Sequence, residues 1–271
     1  MSGPPADEDD GIPIVYHPGT VFRSTQLEKP MFTRRTPKSS ETAAAAIVDD
    51  IVAYALRAGD KLRSEAEMLA HYNVSRETLR EALRLLEVQG LIQIRRGPGG
   101  GPVVEPINAA YLARTATLYF KLSGATYDEL FDTWQILEPP LSARVARLPD
   151  RARKQEAFAP FLDYDPDRHG RDEVFEDLNN FHAVIAHLSG NRVLTLLTQA
   201  VTHIVTDHVL ESIDPIAESA HMLHSHTAIA EAIIAGQPRK AASLMEDHIG
   251  TVVGSYRERW PELLKETIEW R

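Results

Sequence analysis

The chain has 271 residues, 43% of them apolar, no cysteine, and a formal charge of −10. That length suggests two domains or one large one, and the absence of cysteine excludes disulfides and thiolate metal sites. No apolar run approaches the ~20 residues that span a bilayer, and the start MSGPPADEDDG lacks the basic and apolar blocks of a signal peptide, so the expectation is a cytoplasmic protein with no membrane partner.

The charge is unevenly spread. Residues 1–33 sum to −3, residues 34–105 to +1, and the remainder to −8. Only the middle stretch escapes acidity. A small basic face there can hold a polyanion locally, while the negative surplus elsewhere weakens nonspecific attraction.

Residues 1–33 mix Pro, Gly and acidic side chains without a period, which reads as a disordered extension. A helix is expected from near Ser40, with Ile47, Ile51, Val52, Tyr54, Ala55 and Leu56 as its apolar stripe and Ala58-Gly59-Asp60 as its stop. Ser64-Glu65-Ala66-Glu67 has the spacing of a capping box and opens a second helix to about Tyr72. Ser75 is placed to cap a third helix through about Gln89, with Leu79, Ala82, Leu83 and Leu86 buried and Gly90 ending it. Leu91–Ile94 and Val103–Glu105 read as two short strands around a glycine-rich tip. Three short helices and a hairpin make a winged helix-turn-helix, placed at residues 34–107. The fold class is mainly α, because residues 108–271 show only helical spacing, through Leu112–Leu122, Leu130–Leu148, Val174–Leu188, Val193–Leu210, Met222–Ile234, Lys240–Val253 and Tyr256–Trp270.

A helix that enters the major groove needs a polar leading end and an apolar back. Ser75, Arg76, Glu77, Thr78 and Arg80 crowd the first turns of the third helix. Arg76 and Arg80 read as base contacts, since a guanidinium can grip guanine with two hydrogen bonds. Arg84, one further turn along, reads as a solvated side chain paired with neighbouring glutamates. Arg95 and Arg96 beside the glycine run suit a wing that approaches the sugar-phosphate chain.

Residues 59–104, GDKLRSEAEMLAHYNVSRETLREALRLLEVQGLIQIRRGPGGGPVV, resemble the winged helix of the GntR family of bacterial regulators. The resemblance implies that Ser75, Arg76, Thr78, Arg80, Arg96 and Gly97 occupy the family's DNA-contact positions. Arg63 stands where the family usually has proline, and Ala66 where many members place an arginine that reaches DNA.

Nine of the eleven histidines lie after residue 160, so their pairwise spacings alone carry little, and His169, His187, His203, His208, His221 and His224 read as surface or satisfied core residues. Three others have a telling context: the Phe181-His182 pair, His226 opening HTAIAEAIIAGQP, and His248 closing AASLMEDHI. These segments resemble the FCD effector domain of the FadR subfamily over about residues 112–255. That resemblance implies a divalent ion, often zinc, held by His182, His226 and His248 with a position left open for a carboxylate effector.

The family's fourth ligand, an aspartate, falls here on Leu178, which cannot ligate; Asn179 offers a weaker amide oxygen, and Asp177 points elsewhere on the helix. The arginine four residues before the family's glutamate, here Glu138, is replaced by Trp134. The expected function is a homodimeric regulator, a repressor, that binds a near-palindromic operator DNA and releases it on binding a small organic acid. The alternative is a metal-free pocket for an acyl or other carboxylate ligand. No candidate general base adjoins the three histidines in sequence, so no enzyme is expected.

Overall fold

A computed structural model describes residues 37–97, 99–162, 171–208 and 215–271, with the backbone alone over 171–179 and 215–223. The extension expected over residues 1–33 lies outside them.

The N-terminal unit is built as its local signals direct. Helix α1 (Ser39–Ala53) buries Ser40, Ala43, Ala44 and Ile47, spaced by three and four, against the third helix. Its apolar stripe is shorter than expected, since Val52 and Tyr54 are exposed and Ala55 turns the chain with φ 51°. Helix α2 (Glu65–Tyr72) opens with the expected capping box: Glu67 Oε2 accepts from the Ser64 amide at 2.8 Å, and Ser64 Oγ accepts from the Glu67 amide. Asn73 makes the turn with φ 49°, a conformation Asn tolerates better than most residues. Helix α3 (Arg76–Val88) then buries the four expected residues Leu79, Ala82, Leu83 and Leu86. Together with Ile47, Met68 and Ile92 they form a core of their own.

Strands β1 (Ile92–Arg95) and β2 (Gly101–Val104) pair antiparallel, Ile92 opposite Val104 and Arg95 opposite Gly101. β1 starts one residue later than expected. The reason is that the Leu91 amide bonds back to Leu86 O at 3.0 Å and still belongs to the end of α3.

The larger unit is all helical: α4 (Ala109–Ser123), α5 (Tyr127–Ala146), α6 (Arg151–Phe158), α7 (Arg171–Leu188), α8 (Arg192–His208), α9 (Pro215–Ile234), α10 (Pro238–Arg259) and the short α11 (Pro261–Lys265). Helices α5 and α10 pack along each other, α4 lies on α8, and α7 touches both α8 and α9. Phe131, Phe158, Phe181, Ile229, Ile233, Met245 and Tyr256 are the fully buried centre of its core.

Three features differ from the sequence expectation. Helix α6 was not anticipated, because RARKQEAF shows no apolar stripe. It is held by Phe158 in the core and by buried Lys154, whose Nζ donates to Ala146 O at 3.1 Å. Helix α10 runs unbroken to Arg259, and the tail is not helical to Trp270. Residues 266–268 pair instead with the α4–α5 turn, where the Ile268 amide donates to Ala125 O at 2.9 Å. Among the described residues no helix is long and apolar enough to cross a membrane. The fold is mainly α, a three-helix winged unit with a β-hairpin followed by a larger helical domain.

Candidate functional site

At the head of α3, Ser75 Oγ accepts from the Thr78 amide at 3.2 Å and lies 2.9 Å from Thr78 Oγ1, which fixes the first turn. Arg76 and Arg80 project from that turn and the next, exposed and without an ion pair among the described residues. Arg84 is also exposed and has no ion pair among the described residues, contrary to the expected pairing with glutamate. The nearby Glu87 is engaged elsewhere, its Oε1 accepting from the Ile94 amide of β1 at 3.0 Å. Arg80 and Arg84 line a groove of about 940 Å³ between α3 and the wing, whose other wall includes Gly99, Gly100 and Gly101. Lys61 pins that wing, its Nζ donating to Gly99 O at 2.6 Å. Arg96 and Gly97 are exposed beside it, Gly97 with φ 96°, a conformation that favours glycine.

Arg63, the unusual residue at the family's proline position, turns inward. Its guanidinium donates to Asp50 Oδ2 and lies 4.9 Å over the Tyr54 ring. Tyr72 Oη donates to the same oxygen at 2.8 Å, and His71 Nε2 stands 3.2 Å away. Burial opposes ionisation of Asp50, but hydrogen bonds from Tyr72 and Arg63, with the charges of Arg63 and His71, outweigh it and hold the carboxyl below its usual range. The Tyr72 phenol, desolvated beside that carboxylate, is pushed up to about 12. This cluster ties α1 to α2 and explains the substitution. Ala66 sits exposed on α2 and offers no polar group.

In the helical domain α7, α9 and α10 bring His182, His226 and His248 together. All three are buried, at 6%, 1% and 4% exposure, with one ring nitrogen from each within 4.8 Å of the others. His226 Nε2 and His248 Nε2 are 3.1 Å apart, close to the ~3.3 Å edge that two imidazoles span when each binds tetrahedral zinc at ~2.0 Å. The Phe181 ring stacks on His226 at 3.9 Å between centroids and fixes its plane. Burial, then the imidazoles of His248 and His182, hold His226 well below the ordinary histidine value, so it is neutral at pH 7 with a lone pair to give. His226 Nδ1 and His182 Nδ1 are buried without a hydrogen-bond partner among the described residues. A donor set of three buried imidazoles, with one ring nitrogen from each so close together, fits a divalent ion.

Glu138 on α5 stands beside this cluster. It is fully buried, and its Oε1 lies 3.4 Å from His182 Nδ1, within ion-pair range but off hydrogen-bond geometry. Sequence spacing gave no reason to join Glu138 to a histidine 44 residues later; what marked it was the resemblance, which puts the family's glutamate here, and its place in the apolar run Ile136-Leu137-Glu138-Pro139-Pro140-Leu141. Asn179 lies among the residues whose side chains are not described, as do Asp177 and Leu178.

The remaining histidines mostly fit the bland expectation: His187 and His224 are exposed, His203 pairs with Asp207 at 3.2 Å, and buried His208 meets Tyr127 Oη at 3.1 Å. His169 and His221 lie outside the described residues and side chains.

A cavity of about 470 Å³ reaches His182 from the junction between the two units. One wall is the connecting segment from Glu105 to Tyr111; the other is Asn180, Thr198, Gln199, Thr202 and His203 of α7 and α8. Among the described residues Thr198 Oγ1 is buried there without a partner, and no lysine or arginine is in the lining.

The chain matches the family model of bacterial regulatory proteins, gntR family, over residues 39–100 and that of the FCD domain over residues 129–251. It is 29% identical over 249 residues to an uncharacterized HTH-type transcriptional regulator of Mycobacterium tuberculosis, covering 88% of this chain and 97% of that one. It is 27% identical to an Escherichia coli protein assigned as the L-lactate dehydrogenase operon regulatory protein, and 25% identical to the HTH-type transcriptional repressor NanR of E. coli. Each of these matches covers 73% of this chain, and 78% and 76% of the relative respectively. The fold is similar to that of a Streptococcus agalactiae GntR, with a TM-score of 0.59 at 23% identity over 80% of this chain and 99% of that one. The capped, arginine-bearing α3 with its wing, the helical domain behind it and both family matches place the chain in the GntR family as a DNA-binding transcriptional regulator with an FCD effector domain, not an enzyme.

Proposed function

We propose that the chain is a cytoplasmic, homodimeric repressor of the FadR subfamily, whose operator affinity is lowered when a small organic acid binds against a divalent ion, zinc, in the helical domain. Residues 34–107 form the DNA-binding part and residues 108–271 the effector and dimerisation part. The observation that carries the effector reading is the buried trio His182, His226 and His248, of which His182 lines the cavity. Its volume lies in the range of small-molecule pockets, and the orphan hydroxyl of Thr198 awaits a polar partner. With no cation among its described lining residues, a bound carboxylate needs another positive charge. An ion on the three imidazoles supplies that charge and a Lewis-acidic coordination position. The L-lactate dehydrogenase operon assigned to one relative is consistent with a hydroxy-acid effector.

Arg76 and Arg80 are the base readers, Ser75 and Thr78 hold the helix start against phosphate, and Arg96 with Gly97 brings the wing to the backbone. A two-fold dimer places two such helices about one turn apart, so the operator is a short near-palindrome. The exposed apolar side chains Tyr119 and Leu122 of α4, and Val193 and Leu197 of the adjacent α8, favour that assembly. The cavity wall is the connection to the winged unit, so a ligand there bears directly on how the two units sit. Such a ligand shifts the equilibrium only by its differential affinity for the two arrangements.

A thermal-shift screen of small carboxylates, with and without zinc, tests the effector reading. It predicts a hit whose stabilisation requires the ion. A hit of equal strength in chelated protein would replace this reading with a metal-free pocket.

A further inference from the structure

Glu138 is a buried carboxylate without a lysine or arginine partner among the described residues. It is 0% exposed, and its Oε1 accepts from Trp134 Nε1 at 3.4 Å and Thr202 Oγ1 at 3.3 Å, both long and both from neutral donors. Its Oε2 has no hydrogen-bond donor among the described residues. A buried carboxyl group ordinarily has stronger partners than these two long contacts. The group that faces it is His182, whose Nδ1 is 3.4 Å from Oε1 and itself lacks a hydrogen bond. The neighbouring positions that could have supplied other charge are neutral: Trp134 precedes Glu138 by one helical turn, and Leu178 precedes His182 by one.

We infer that Glu138 is the positioning carboxylate of the metal centre, holding His182 through Nδ1 and supplying the negative charge that Leu178 cannot. The inference rests on the metal reading above. A proton kept on Nδ1 toward Glu138 leaves Nε2 with the lone pair and raises its basicity as a ligand. Glu138 is not itself a fourth ligand, since it does not join the group of atoms lying within 4.8 Å of one another. Its charge offsets that of a dication held by three neutral imidazoles, and the hydroxyl of Thr202 links it to the cavity wall. Ligand site and metal site thus share one buried acid.

The test is zinc affinity of the full chain, measured by competition with a chromophoric chelator for the parent protein, Glu138→Gln and Thr202→Val. The expected result is a zinc affinity about 10–100-fold lower in Glu138→Gln, and a smaller loss in Thr202→Val. The thermal midpoint of the zinc-free Gln variant should be no lower than the parent's, because the amide oxygen can still accept from Trp134 and Thr202. A purely structural glutamate gives the reverse pattern, a lower midpoint with zinc affinity unmoved, and that result overturns the inference. Should Glu138→Gln fail to fold, an unchanged affinity in Thr202→Val overturns it. Parent protein that takes up no stoichiometric zinc removes the metal reading itself, which separates the two failures.

Discussion

The ring of Tyr111, in the first turn of α4, covers Gly90 at the end of α3 so closely that a Cβ on Gly90 would stand 2.1 Å from it. The same tyrosine lines the cavity that reaches His182. One side chain therefore touches the end of the DNA-reading helix and the wall of the proposed ligand site. Gly90 also has φ 69°, where a side chain costs about 1–2 kcal/mol.

Gly90→Ala should therefore lower the thermal midpoint and displace Tyr111. Tyr111→Ala removes the contact without the backbone strain, so it should fold and bind operator while responding less to effector. Fluorescence anisotropy of a labelled operator, with and without the carboxylate from the thermal-shift screen, measures both. An undiminished ligand response in Tyr111→Ala would exclude this route.

Arg76→Ala and Arg80→Ala should each cost about 1–3 kcal/mol of specific operator affinity while leaving the dimer intact. Arg96→Ala on the wing should act differently, weakening all duplexes alike and lowering the salt slope by about one. Competition between operator and random duplex over a range of salt concentrations separates the two behaviours. A uniform loss in the α3 variants would demote them to phosphate contacts.

The Asp50 cluster makes a pH-dependent contribution. Its carboxyl is held below its ordinary value of 3.8, so the stability it adds is fully present above about pH 4 and is lost as pH falls through the depressed value. Asp50→Asn should lower the midpoint at pH 7 by roughly 2–4 °C, a modest figure because the pair is partly solvated. The gap from the parent should close in acid melts taken below the folded pKa. A constant gap down to pH 2 would assign the effect to packing.

Much of this was legible in the chain because the signals are local. Ser64 with Glu67, and Ser75 before a leucine stripe, specify two helix starts by hydrogen bonds that reach only three residues. His182, His226 and His248 could be picked out by resemblance, though their meeting depends on how three helices pack. What stayed hidden was non-local or unpatterned: α6 has no apolar stripe and a single large apolar residue, Phe158, and Arg63 finds its acid 13 residues away on α1. Glu138 was marked by the resemblance, but its place beside His182 is visible only once α5 is docked against α7. Arg84 was read as ion-paired because neighbouring glutamates abound, yet the closely placed Glu87 serves the β1 backbone instead.

Operator affinity measured against rising carboxylate concentration, in zinc-loaded and chelated protein side by side, bears most directly on the sensing mechanism. The loaded protein should release its duplex with a coupling of about 5–150-fold, while the stripped protein stays bound. Identical release curves in the two preparations would show that the imidazole trio has no part in hearing the signal.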